Sequence, residues 1–339
     1  MLEEKSLTWT KEQLQKLIDD YKGVGSVQLK AVCKSEMLWD AQVGQDGGNS
    51  IVNKASNDLL DKAITSELDR IGATDLIITD VVSKQKIDTR LEKWEEKFLD
   101  ATIRQGNASL IPDTNFIMRR YGSGLLRRLG KNDFSFLRFN IPNLVVLEIE
   151  AIHNRAKKKS ESEKCEDKER TKALIEMREA LIATKELIFL RDRSADILDA
   201  KIDWALRNFQ EIAGKGLTDM YIRKEIRDAT KLWTTSYVKF LTCDLMNALS
   251  AVAEGLPVLY FQRLTSEKYY LSEDYDCCLE QLAELIINTT FVLGEITLTA
   301  QPIYGKPQTK TLRGDWADWT IEDLLNNRII EEMPAPNKK

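Results

Sequence analysis

Residues 110–115 read Leu-Ile-Pro-Asp-Thr-Asn, a short apolar run that ends in a carboxylate. Such a run, bounded by proline and polar residues, is typical of a buried strand. Similar runs at 141–147, 237–242 and 257–261 predict three further strands. Helical sequence separates these strands. Alternation of strands and helices predicts an α/β fold with a parallel sheet that carries helices on both faces.

An acidic residue follows each of the first three predicted strands. Asp113 and Glu148 end the first and second runs, and Asp244 comes directly after the third strand and one cysteine. Ligands of open parallel sheets bind at the carboxyl ends of the strands, so these carboxylates are expected to share one edge. The alternative is that each acid caps the helix that follows it, which is the commoner use of a single acid there.

A fourth acid, Asp219, opens a helix just after the glycine-rich loop at 214–216. Ile222 and Ile226 follow at helical spacing, which puts both of them on the same face as Asp219. Asp228 falls on the opposite face of that helix. We therefore expect Asp219 to face the sheet and the other three acids, and Asp228 to face water.

Carboxylates that are held together repel one another unless a cation neutralises them. Hard oxygen ligands favour Mg²⁺ or Mn²⁺ over zinc or copper. Such sites commonly serve phosphoryl chemistry, because the metal ion activates water and stabilises the leaving oxygen. His153 is the single histidine, which excludes a two-histidine ribonuclease and an HExxH zinc hydrolase. A carboxylate site needs no histidine.

Composition and charge set wider limits on the protein. The chain has 339 residues, of which 43% are hydrophobic, and a formal net charge of −5. Basic residues outnumber acidic ones in the middle segment, 107–263, which favours a polyphosphate ligand there. Five cysteines without a CxxC pair favour a reducing, cytoplasmic setting. We expect no signal peptide, no membrane-spanning run and no membrane partner.

Three consecutive segments are predicted along the chain. Residues 1–106 read as a helical N-terminal domain, because apolar residues recur there at helical spacing. Residues 107–263 form the α/β core, with a helical insertion at about 151–213. Residues 264–339 form a small mixed α/β appendage.

Four ordered motifs in residues 108–263 resemble those of a PIN domain, the metal-dependent nuclease module of toxins and RNA-processing proteins. The first is 110–117, an apolar strand that leads into Asp-Thr-Asn. The second, 141–149, is similar to the family's Pro-x-x-Val-x-x-Glu-Leu run, with isoleucine in place of leucine. The third is an acid that opens a helix, at 219–223, and the fourth, 238–247, contains Thr-Cys-Asp at a strand end.

The resemblance implies roles for particular side chains. Metal-binding acids would be Asp113, Glu148, Asp219 and Asp244, with Asn115 and Thr242 as supporting polar groups. The implied activity is Mg²⁺- or Mn²⁺-dependent cleavage of a phosphodiester, most often in RNA. The chain departs from compact toxin members in its longer stretch between the second and third acids, and Glu150 is an alternative to Glu148.

Basic side chains close to these motifs are candidates for holding the phosphate backbone. They are Arg119, Arg120, Arg127, Arg128 and Arg223. The alternative is an ordinary solvated helix face.

These observations together predict a Mg²⁺- or Mn²⁺-dependent ribonuclease, an endonuclease that acts on single-stranded RNA. One alternative is a catalytically inactive PIN-like scaffold or binding module for RNA or protein. Another is a phosphatase-type phosphoryl hydrolase. The sequence leaves open whether a second copy of the chain or an inhibitory protein is a partner.

Overall fold

The computed structural model describes residues 3–19, 26–44, 49–102, 108–129, 137–192, 196–198, 209, 217–231, 237–263, 274–302, 306–314 and 328–333. The chain divides into two compact units. One unit contains Met1–Ala73, Lys164–Arg178 and Ser266–Lys339, and the other contains Thr74–Glu163 and Glu179–Thr265. This division differs from the predicted three consecutive segments, because both ends of the chain belong to one unit and residues 74–106 belong to the other.

The strands are β1 (Glu3–Thr8), β2 (Ser26–Cys33), β3 (Glu36–Gly44), β4 (Asn49–Asn53), β5 (Leu76–Asp80), β6 (Gln85–Asp88), β7 (Ala108–Pro112), β8 (Leu137–Pro142), β9 (Asp196–Leu198), β10 (Tyr237–Thr242), β11 (Val258–Arg263), β12 (Asp274–Cys277), β13 (Glu295–Pro302), β14 (Gln308–Arg313) and β15 (Arg328–Met333). The helices are α1 (Lys11–Asp19), α2 (Asp58–Arg70), α3 (Trp94–Thr102), α4 (Thr114–Met118), α5 (Tyr121–Arg128), α6 (Asn143–Ser160), α7 (Asp167–Asp192), α8 (Thr218–Thr230), α9 (Leu245–Ala253) and α10 (Leu279–Leu293). None of these helices is both long enough and apolar enough to cross a bilayer.

The unit that contains both chain ends is built on an antiparallel sheet. Its described strands follow the order β1-β15-β14-β13-β2-β3-β4-β12. The prediction of a helical segment is therefore wrong for residues 26–33, 36–44 and 49–53, which form β2, β3 and β4. Val27, Leu29 and Ala31 alternate with half-buried residues along β2, and this period of two is a strand pattern that overrides the helical signal on either side.

The other unit confirms the α/β class and the parallel sheet. Its described strands follow the order β6-β5-β11-β10-β7-β8-β9. The five strands from β11 to β9 run parallel to their neighbours, while β5 and β6 are antiparallel additions at one side. Ile111, Phe240 and Leu259 lie in the fully buried core along the central strands.

The strand order places a topological switch between β7 and β10. From β7 the chain passes outward through β8 to β9, and it then returns to β10 on the opposite side of β7. Connections therefore leave these two neighbouring strands in opposite directions. Such a switch point opens a crevice at the carboxyl ends of the strands, where ligands of open α/β sheets bind.

The prediction that residues 141–147 form a strand is wrong beyond Pro142. The strand β8 ends at that proline, and α6 begins at Asn143. Leu144, Val145 and Ile149 are buried on one side of α6, so the apolar run serves a helix face and not a strand. Glu148 consequently lies within α6, one turn after its start.

A buried ion pair joins β10 to the antiparallel addition. Lys239 is 1% exposed, and its Nζ lies 2.6 Å from Oδ2 of Asp80 at the end of β5. Removing one partner of a buried pair leaves an uncompensated charge in the interior. We expect Lys239→Met to lower the free energy of unfolding by about 3 kcal/mol, measured by urea denaturation.

The matched control is Lys231→Met, which removes an exposed lysine that pairs with Asp228 at 3.1 Å. An exposed pair contributes at most about 1 kcal/mol. Equal losses of stability in Lys239→Met and Lys231→Met would contradict the predicted importance of the buried pair.

Candidate functional site

Asp113 lies at the end of β7, beside the switch point, and is 1% exposed. Its Oδ1 accepts a hydrogen bond of 2.8 Å from the backbone N–H of Phe116 and so caps α4. Its Oδ2 accepts hydrogen bonds from the Thr242 hydroxyl and, at 3.1 Å, from Nδ2 of Asn247. Burial, reinforced by the charge of Asp219, raises the pKa of Asp113 to about 7.

Asp244 follows the neighbouring strand, β10. Its Oδ1 accepts hydrogen bonds from the backbone N–H groups of Met246, at 2.7 Å, and Asn247, at 3.2 Å, and so caps α9. The buried Thr242 connects the two strand ends, because its Oγ1 accepts from the backbone N–H of Asp244 at 3.0 Å while it donates to Asp113. Both aspartates are therefore helix caps, as the alternative interpretation held, and they also share a cluster.

Asp219 lies in the first turn of α8, and its Oδ1 is 3.4 Å from Nδ2 of Asn247. Burial and the charge of Asp244 raise the pKa of Asp219. The charge of Asp219 in turn adds to burial in raising the pKa values of Asp113 and Glu148. Asp219 is thus electrostatically coupled to each of the other three predicted acids.

Glu148 reaches the cluster from α6. The hydroxyl of Thr114, the residue after Asp113, donates a hydrogen bond to its Oε2. Glu150, the alternative second acid, is exposed on the same helix. The structure also places Asp228 on the exposed side of α8 and buries Ile222 and Ile226, as the predicted helical phase requires.

Asn247 is a site residue to which sequence reasoning assigned no role. It lies in the first turn of α9, is buried, and donates to both Asp113 and Asp219. Its position three residues after Asp244 was the available signal, because that spacing puts both side chains at the same end of a helix.

The donor set of this cluster suits a hard divalent cation, since it consists of carboxylate oxygens supported by hydroxyl and amide groups. Among the residues that the structure describes, no group of three or more His, Cys, Asp or Glu side chains is arranged to hold a metal ion.

The five arginines predicted to contact nucleic acid lie in different environments. Arg119 and Arg127 are exposed. Arg120 is 2% exposed, and its Nε lies 3.4 Å from Oε2 of the buried Glu186. Arg128 donates to the Thr74 carbonyl. Arg120 is therefore an interior side chain, whereas Arg128 is half-buried and already bonded to a protein carbonyl.

Arg223 is also buried and donates hydrogen bonds to Glu254 and Asn247. Asn115, predicted as a supporting polar group, is exposed on α4. It is not one of the groups that hydrogen-bond to the carboxylate cluster in the described residues.

Tyr260 is a half-buried phenol beside the cluster. It lies on β11 directly opposite Thr242 in the strand register. Burial, with the nearby charge of Asp244, raises the pKa of Tyr260, and the charge of Arg119 opposes that rise. Arg119 and Asp244 therefore both lie close enough to Tyr260 for their charges to act on it.

Glu225 fixes α8 to the start of α6. Its Oε1 accepts from the backbone N–H of Asn143 at 3.0 Å, and its Oε2 lies 3.5 Å from that of Leu144. The helix α6 has no side-chain cap of its own, since its N-cap residue is Pro142. This contact holds together the two helices that carry Glu148 and Asp219.

The pH dependence of stability is expected to report on Glu225. Burial raises its pKa from 4.5 to about 7. Folding therefore favours the protonated acid, so the stability that it contributes is complete below pH 4.5 and is lost as pH rises through about 7. Glu225→Gln should match the wild type at pH 4 and exceed its free energy of unfolding at pH 8, on the order of 3 kcal/mol. Urea denaturation at both pH values measures this, and parallel profiles would contradict it.

Comparisons of the chain with protein-family models, with curated proteins and with solved structures found no match.

Proposed function

We propose that this protein is a Mg²⁺- or Mn²⁺-dependent ribonuclease that cleaves single-stranded RNA internally. In this proposal, the metal ligands are Asp113, Glu148, Asp219 and Asp244. The observation that carries the proposal is that the charge of Asp219 is coupled to those of the other three acids beside the switch point of a parallel sheet. Asn247 also donates hydrogen bonds to both Asp113 and Asp219. The choice of a nuclease rests on the ordered motifs that resemble a PIN domain. The same proposal assigns a PIN-like fold to the second unit.

The electrostatics of the cluster support a cation. Burial and mutual repulsion raise the pKa values of three of the four acids, so the site is unfavourable for several ionised carboxylates at once. A divalent cation would relieve this repulsion. Bound there, it would activate water and stabilise the leaving oxygen.

The chain's own residues orient the carboxylates and the substrate. Thr242 and Asn247 both donate to Oδ2 of Asp113, and the Thr114 hydroxyl donates to Glu148. These bonds fix the carboxylate planes before any ligand arrives. The exposed Arg119, whose charge acts on Tyr260 beside the cluster, is suited to a backbone phosphate of the RNA.

The test is cleavage of an end-labelled, mixed-sequence single-stranded RNA by the purified protein in Mn²⁺, Mg²⁺ or EDTA. We expect internal cleavage with either metal, none in EDTA, and none with Asp113→Asn. Single-stranded DNA and p-nitrophenyl phosphate are parallel substrates. Hydrolysis of the small ester alone would favour the phosphatase alternative. A folded wild-type protein that cleaves nothing and gains no stability from Mn²⁺ would favour the scaffold alternative.

A further inference from the structure

Arg223 lies at the centre of a buried hydrogen-bond chain that ends at the carboxylates. Its Nε donates to Oε1 of Glu254 at 2.9 Å, and its Nη1 donates to Oδ1 of Asn247 at 2.6 Å. Asn247 then donates through Nδ2 to Asp113, at 3.1 Å, and to Asp219, at 3.4 Å. Both Arg223 and Asn247 are less than one-tenth exposed.

The chemistry of these groups fixes the direction of the chain. A guanidinium group can only donate hydrogen bonds, so the atom of Asn247 that faces Arg223 must be the amide oxygen. The amide of Asn247 must therefore turn its oxygen to Arg223 and its NH₂ group to the carboxylates. The reverse orientation would bring the amide oxygen against two carboxylates and its NH₂ group against a guanidinium.

We propose that Arg223 is a positioning residue, which acts through the amide of Asn247 to hold Asp113 and Asp219 in the geometry that binds a divalent cation. Arg223 thus has a structural partner at each end and does not contact RNA. The expected effect on cation binding rests on the proposed function. The expected effect on the orientation of the Asn247 amide does not.

A purely electrostatic role of Arg223 and a positioning role predict opposite changes in cation affinity when Arg223 is replaced. The direction of the measured change therefore distinguishes them. The charge of Arg223 lowers the pKa of Asp219, so it is a cation close to the proposed metal site. Removing a nearby positive charge strengthens the binding of another cation. A positioning role predicts weaker binding instead, because the amide is free to rotate.

The first readout needs neither metal nor RNA. In the metal-free protein, the Asn247 side-chain NH₂ should give two separate, slowly exchanging NMR signals, assigned by their absence in Asn247→Leu. In Arg223→Met, these signals should exchange at least about tenfold faster. The matched control is Arg227→Met. Arg227 lies on α8, as Arg223 does, and its Nη1 is 3.4 Å from Oε2 of Glu254. Its Asn247 signals should stay as in the wild type.

The second readout is Mn²⁺ affinity, measured by electron paramagnetic resonance of free Mn²⁺. We expect Arg223→Met to bind Mn²⁺ about 10- to 100-fold more weakly, as outer partners of metal ligands do, and Arg227→Met to bind within about twofold. In an Asn247→Leu background, Arg223→Met should cause no further loss, since the two residues act in series.

The outcomes separate this inference from the proposed function. Faster amide exchange in Arg223→Met without Mn²⁺ binding by the wild type would sustain the inference and overturn the metal site. The inference would be overturned if Arg223→Met left the amide signals unchanged or bound Mn²⁺ more tightly. It would also be overturned if Arg223→Met weakened Mn²⁺ binding in the Asn247→Leu background as much as it does in the wild type. If Arg223→Met does not fold, Arg223→Lys replaces it, because lysine lacks the planar fork that serves Glu254 and Asn247 together. Wild-type values in both readouts for Arg223→Lys would also overturn it.

Discussion

Asp219→Asn is expected to abolish metal-dependent RNA cleavage, with a loss of at least about a hundredfold. Substitution of a residue that only hydrogen-bonds to a metal ligand typically lowers metal affinity or activity about 10- to 100-fold. Removal of a proposed ligand itself should therefore cause a larger loss of activity. The loss should be large at this position because Asp219 is coupled to Asp113, Glu148 and Asp244. The measurement is the initial rate of RNA cleavage at saturating Mn²⁺, together with the Mn²⁺-induced rise in Tm.

Asp228→Asn is the matched control for this variant. It makes the same chemical change on the same helix, but Asp228 is exposed and pairs only with Lys231 in the described residues, at 3.1 Å. Its cleavage rate and its response to Mn²⁺ should stay within about twofold of the wild type. Similar losses in the two variants would show that α8 matters through its stability, and the ligand role of Asp219 would be rejected.

The metal-free protein is expected to lose stability as pH rises from about 4 to about 7. Burial raises the pKa of Asp113 from 3.8 to about 7 in the folded state. The protonated form is therefore favoured by folding, so its stabilising contribution is complete below pH 3.8 and is lost as pH rises through about 7. The size of the effect is on the order of 4 kcal/mol. Tm measured between pH 4 and pH 8 in EDTA should fall accordingly, and Asp113→Asn should reduce the slope of the profile to the part that Glu225 contributes.

Mn²⁺ distinguishes this effect from that of Glu225, which titrates in the same range. At pH 8, saturating Mn²⁺ should restore the stability that ionisation of Asp113 removes, because the cation binds the ionised site. The slope due to Glu225 should persist in Mn²⁺ and disappear only in Glu225→Gln. A wild-type profile that is flat in EDTA, or unaltered by Mn²⁺, would contradict the prediction.

The sequence was most informative where local pattern and tertiary role coincide. The strand Tyr237–Thr242 has its predicted bounds, because a short apolar run whose residues 239–242 are buried can be recognised without knowledge of its partners. The inward phase of Asp219 was predictable because Ile222 and Ile226 fix the face of α8. Asp113 and Asp244 could be placed together because each follows a strand of the parallel sheet. Glu148 could not be placed in this way, since its predicted strand is the helix α6.

The rest depends on partners that are distant along the chain. Residues 141–147 read equally as a buried strand or a buried helix face, and the N–H groups of α6 are satisfied by Glu225, 82 residues after Asn143. The burial of Arg120 depends on Glu186, 66 residues away, and that of Arg223 on Glu254, 31 residues away. A single sequence gives no signal for such pairs, so exposed arginines could not be told from buried ones.

The antiparallel addition β5 determines which part of this chain can be handled by itself. Residues 107–263 carry all four acids, but they lack β5, which pairs with β11 from Leu259 to Arg263. Cut at residue 107, the sheet would end in an open β11 edge, a template for aggregation. A minimal piece that carries the four acids should therefore begin at Thr74, where the second unit begins.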